Sequence, residues 1–183
     1  MSRARKLLLI GGFALAALGM LYGLHYAVFV EHQTLDQMGG SLAQAFVQAA
    51  ERRQVEASSS VDNYAATKYA YVRQVDIHSH WIGLAMLLIV MGVAFDFVVF
   101  GERARVWIAM ALVAGSFLFP LGVILQTVSR NTAFASALAI FGSATVTIAL
   151  AAVVWGFWRT SPEGRGVGGA PPRVSAYRIG ERE

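Results

Sequence analysis

The chain contains no cysteine, which excludes disulfides, iron–sulfur clusters, thiolate zinc sites and thiol nucleophiles together. Charge is scarce as well. Only 14% of residues are Asp, Glu, Lys or Arg while 56% are hydrophobic, a balance too apolar for a soluble domain with one ordinary core. No phosphate-binding loop, nucleophile elbow or zinc-protease helix occurs anywhere along it. At 183 residues, a chain that spends most of its length in apolar spans has no room for a separate soluble catalytic domain. Any chemistry must sit in the helices or at their rim, and the chain reads as a protein that is not an enzyme on its own.

What is present are long apolar runs. They predict transmembrane helices over about 7–30, 81–100, 106–128 and 133–158, each near the ~20 residues that a helix needs to cross a bilayer. The first run follows Arg3, Arg5 and Lys6 like a signal peptide, but it exceeds the roughly 7–15 apolar residues of such a segment and ends in Phe29, Val30 and Glu31, so it reads as a retained helix. The fold class expected is therefore an all-α integral membrane protein: a four-helix bundle, residues 1–160, with a helical outer segment at 31–80 between the first two spans and a Gly/Pro-rich, disordered cytoplasmic tail at 161–183.

The net charge of +4 is not a nucleic-acid signal, because the basic residues are mostly flanks of the spans and the tail, with Arg130 in a very short connection on the opposite side. Arg3, Arg5, Lys6, Arg103, Arg105, Arg159, Arg165, Arg173 and Arg178 all fall on one side when four spans are threaded in order. The excess of positive charge in short flanks marks that side as cytoplasmic, with both termini there, in a bacterial-type inner (plasma) membrane. The expected partners are the lipid bilayer and other subunits of a membrane complex. Trp81, Trp107, Trp155 and Trp158 stand at predicted span ends, where an indole suits the headgroup boundary.

In the outer segment, Thr34-Leu35-Asp36-Gln37 fits a capping box, and Leu35, Met38, Leu42, Phe46 and Ala49 then recur at helical spacing. This predicts an amphipathic helix resting on the bundle or the membrane surface, with Gly39-Gly40 as a weak point and Ser58-Ser59-Ser60 as its break. From Val61 to Gly83 no Pro or Gly interrupts the chain, and Tyr64, Tyr71 and His78 recur every seven residues. The second span is thus expected to begin well outside the membrane.

The four histidines, His25, His32, His78 and His80, all fall at the outer face. Neutral imidazole ligates haem iron, copper and zinc, and histidines on facing helices are a common way for a bundle to hold them. These four are the candidate ligands for haem b or for a copper or zinc ion, with Glu31, Asp36, Asp76 and Gln126 as groups that could support them. If 78–80 is helical, His78 and His80 point about 200° apart and only one faces inward; that one would face His25 or His32, whereas an extended entry would let three or four enclose a metal. His25 lies within its span, where an ionisable group is expected to face the bundle interior. A rim of histidines with Tyr22, Tyr26 and Trp81 also fits simple interfacial anchoring. Residues 78–86, His-Ser-His-Trp-Ile-Gly-Leu-Ala-Met, resemble the His-x-His and glycine-containing helix of some haem- and copper-binding bacterial membrane proteins, including haem–copper oxidase relatives; no family is assigned on that stretch.

Among the remaining features, Asp96 near the cytoplasmic end reads as a partner of Arg103 or Arg105, or else as a proton-relay group. Gly12, Gly19 and Gly23, and Gly115, Gly122 and Gly142 with Ser136 and Ser143, read as close-packing faces, and Pro120 as a bend. Two functions emerge: haem or metal binding in electron transfer or redox-complex assembly, or a non-catalytic accessory or scaffolding subunit of a larger membrane complex.

Overall fold

The computed structural model describes residues 1–128 and 132–159; Arg130 and the tail expected at 161–183 lie outside them. Among the described residues the chain forms five α-helices and no strand: α1 (Arg3–Phe29), α2 (Glu31–Ala50), α3 (Gln54–Ala94), α4 (Glu102–Val128) and α5 (Thr132–Trp158), with a short 3₁₀ turn at Phe95–Phe97 after α3. Four of them, all but α2, carry stretches long and apolar enough to cross a membrane.

The 41-residue α3 is the spine. At ~1.5 Å per residue it is roughly 60 Å long. Its C-terminal half packs antiparallel on α1 and its N-terminal half packs antiparallel on α2. The pairing is legible in the contacts: Gly12 meets Ala85 and Ile89, Gly19 meets Trp81 and Ile82, and Gly23 meets His78, while further along Glu31 meets Tyr71 and Gln48 meets Ser60. The glycine face of α1 is therefore filled by α3. Helix α4 packs on α1 and α3, and α5 packs chiefly on α4. Gly122 lies on Ala139, and Gly142 lies on the backbone of Phe119, so small residues set the α4–α5 approach as expected. The buried core runs through Leu8, Leu15, Ala85, Leu88, Phe95 and Leu112 to Val146 and Val153.

The helix boundaries in the α2 region differ from expectation, and each difference has a local cause. The chain passes from α1 to α2 through Val30 alone. Thr34 does not cap a helix; its backbone N–H donates to the Val30 carbonyl and its hydroxyl donates to the same oxygen, because the preceding helix already supplies acceptors to the restarting one. Gly39-Gly40 is uninterrupted helix. The break falls at Arg52, in the left-handed region at φ 62°, rather than at 58–60. Ser60 lies inside α3 and is buried, its Oγ donating to Gln48 Oε1 at 2.8 Å.

The end carrying the α2–α3 turn is called the hairpin end below. At the other end, Asp96 accepts from Ser2 Oγ at 2.9 Å and from Arg5 Nη1 at 3.2 Å. Its direct partners are at the start of α1; Arg105, whose side chain turns back to donate to the Phe100 carbonyl, acts on it only through its nearby charge.

Candidate functional site

All four histidines lie where α1, α2 and α3 meet, but the helical phase distributes them to different sides. His78 is half-buried on the α1 side of α3. Its Nδ1 donates to the Gly19 carbonyl at 3.0 Å, a bond a carbonyl can only accept, so the neutral ring keeps its Nε2 lone pair free. The ring also packs on Gly23, where a Cβ would lie 2.5 Å from Nδ1. His80 is exposed and faces the opposite way, its ring edge-to-face with Phe119 of α4 at 4.9 Å. Its Nδ1 donates to the Asp76 carbonyl one turn earlier at 2.6 Å. The separation of His78 from His80 is the one a helical entry requires.

His25 and His32 are both exposed. His25 lies beside Phe29, ring centroids 5.5 Å apart, on the side of α1 turned away from α3, so the inward orientation expected for it is not what the fold adopts. His32 stands in the first turn of α2 rather than at the end of α1. The inward histidine, His78, thus meets the α1 backbone and neither of these side chains. Among the described residues no group of three or more His, Cys, Asp or Glu is brought together in a geometry that could hold a metal ion.

What the fold builds at this level is a polar layer tying the helices together. Tyr22 of α1 donates to Gln74 Oε1 of α3, and its ring meets Trp81 edge-to-face at 5.4 Å. Tyr71 of α3 donates to Glu31 of α2 at 3.3 Å and lies against Tyr26. On the other side of α3, Arg73 donates to Gln126 Oε1 of α4, whose Nε2 donates to Ser136 Oγ of α5 at 3.2 Å. Gln126 therefore links three helices rather than reaching a histidine. Trp81 is 8% exposed and acts as a core residue, unlike the exposed Trp107, Trp155 and Trp158.

Beside this layer, between α1 and α3, is a cleft of about 380 Å³ whose walls include Met20, Gly23, Tyr26, Glu31, Gln74 and His78. It is mostly apolar, with His78, Glu31 and Gln74 as its convergent polar groups, the usual composition of a small-molecule pocket. Of the residues singled out in the sequence, His78 and Glu31 come together here. Asp76 contributes its backbone carbonyl to His80, and Asp36 is exposed. Tyr22, Tyr26, Arg73 and Gln74 were not read as site residues. Only Gln74 had a signal: the seven-residue recurrence of Tyr64, Tyr71 and His78 marks the inward face of α3 on which it lies.

Comparison with protein families, with curated proteins and with solved structures finds no match to this chain.

Proposed function

We propose that the protein is a multi-pass integral membrane protein of a bacterial-type inner membrane, with α1, the second half of α3, α4 and α5 as spans and both termini cytoplasmic, and that it serves as a non-catalytic accessory or scaffolding subunit. The observation that carries this reading is the α2–α3 hairpin. A helix of roughly 60 Å is about twice the ~30 Å hydrocarbon thickness, and the half beyond α1 carries Glu56, Asp62, Lys68 and Arg73, which do not belong in lipid. The hairpin therefore stands outside the bilayer as a rigid post, and the polar layer of Tyr22, Gln74, Arg73 and Gln126 fixes it to all four spans at its base. Such a post presents a surface to other proteins, and the clustered positive flanks put it on the outer side. The test is the native mass of the protein in mildly solubilised membranes: migration well above the monomer, shifted down by Phe46→Asp with insertion intact, supports the reading. A monomer with either sequence contradicts it.

A second reading, haem or metal binding in electron transfer or redox-complex assembly, is favoured by one specific observation. His78 has Nδ1 engaged and Nε2 free in the cleft, the tautomer and anchoring typical of a ligating histidine. The cleft offers this one histidine, with the Met20 thioether on the same wall as the available second donor. An absorption spectrum with and without dithionite, together with metal analysis, tests it. On this reading His78→Ala loses the cofactor while His25→Ala keeps it; equal retention in both would remove His78.

A further inference from the structure

Within the hairpin, α2 and α3 meet through small and polar side chains. Ala45 and Gln48 of α2 face Ala57 and Ser60 of α3, with Ala45, Ala57 and Ser60 buried. The larger apolar residues sit one position further on, about 100° around each helix: Leu35, Leu42 and Phe46 on α2, and Val61 and Val72 on α3, all of them exposed and Phe46 to 69%. Seen from one end, antiparallel helices wind in opposite senses, so advancing one residue on both brings the two stripes out on the same side of the hairpin. The opposite side is polar, a groove lined by Gln37, Gln44, Asn63 and Thr67. The hairpin thus carries its run of large apolar residues on one face, with Val47 exposed on the groove side.

We propose that the apolar face is covered by a second copy of this chain, the two hairpins forming an antiparallel four-helix bundle about a two-fold axis along the helices. The inference rests on the membrane reading, because the bilayer gives two copies the same orientation and the same height. Under that axis α2 of one copy lies on α3 of the other. The internal pairs Glu31–Tyr71 and Gln48–Ser60 then bracket the heights: the Leu35–Phe46 stretch of α2 lies level with the stretch of α3 that holds Val61, Ala65 and Lys68, and Asp36 comes within a turn of Lys68 in height. Lys68 and Asp36, both exposed, bring opposite charges together across this seam, and the open space at Gly39 leaves room for the lysine stem. The α2 stripe Leu35, Gly39, Leu42, Phe46 and Ala49 follows the alternating four- and three-residue spacing of such a seam. Asp36 and Lys68 lie on the same hairpin face at similar height, so a two-fold axis pairs them twice, once in each direction, as a closed dimer requires.

The absence of native cysteine makes the test clean. Leu42→Cys and Ala65→Cys versions with different tags are co-expressed and mildly oxidised in intact cells. The expected result is a disulfide-linked species of twice the monomer mass carrying both tags, absent from the polar-face pair Gln44→Cys with Asn63→Cys. No mixed-tag species, or equal linkage on both faces, overturns the dimer. A membrane-impermeant maleimide applied after reduction separates the causes of failure. If the Leu42→Cys version is labelled in intact cells but was never linked, the dimer alone is refuted. If it is labelled only after permeabilisation, the sidedness on which the proposal rests is refuted.

Discussion

Gly23 and His78 form the tightest contact between a functional candidate and its support. A methyl at 23 would lie 2.5 Å from the imidazole, so Gly23→Ala must turn the ring away from the Gly19 carbonyl. Overpacking of this kind costs about 1–3 kcal/mol, and we expect a lower thermal midpoint in detergent. His78→Ala vacates the same space, so the double variant should lose less than the sum of the singles, and additive losses would mean that the two residues are not coupled. That the histidines gather at one end of the helices was legible from their positions, and the opposite aim of His78 and His80 followed from helical phase. The outward aim of His25 was not legible, because α1 is apolar on all sides and periodicity could not say which face meets α3. The direct partners of Asp96 were missed for a related reason: Ser2 and Arg5 are distant in sequence and become neighbours only when α1 packs antiparallel to α3.

At the scale of elements, the α2–α3 turn places a non-glycine residue, Arg52, at φ 62°. The left-handed conformation costs an L-residue roughly 1–2 kcal/mol that glycine does not incur. Arg52→Gly should therefore raise the unfolding midpoint of the hairpin, and Arg52→Val should lower it, as read by denaturant unfolding or protease resistance. The sequence pattern located a helix–turn–helix here but put the break at the serines, because serine is a frequent helix terminator; burial of Ser60 against Gln48 removes that preference. The α4–α5 pair gives a second prediction. A Cβ on Gly142 would lie 2.5 Å from the Phe119 backbone nitrogen, which cannot rotate away. Gly142→Ala should force the helices apart at a cost of about 1–3 kcal/mol, with Gly83→Ala, open on all sides, as the tolerated control. The small-residue faces were readable as packing surfaces; which helix each one met was not.

Taken whole, the chain is a long antiparallel pair, α1 and α2 end to end against α3, with α4 and α5 added along one half. This asymmetry is what divides it into a half where α1, α3, α4 and α5 bundle and a half where α2 and α3 pair alone, and α3 belongs to both. The number and apolar character of the four long helices were visible in hydropathy, as was the early start of the helix that carries the second apolar run. That α2 packs along α3 with its apolar stripe outward depends on the small and polar seam between the two helices and could not be taken from the stripe alone. The central claim is that the hairpin projects from the outer face of a membrane while the α3–α4 connection lies inside. The most direct measurement is labelling by a membrane-impermeant maleimide in intact cells of two single-cysteine variants, Ser59→Cys in the hairpin and Arg103→Cys in the connection. The account predicts that the Ser59→Cys variant reacts at once and the Arg103→Cys variant only after permeabilisation; the reverse pattern, or equal reaction of both in intact cells, would contradict it.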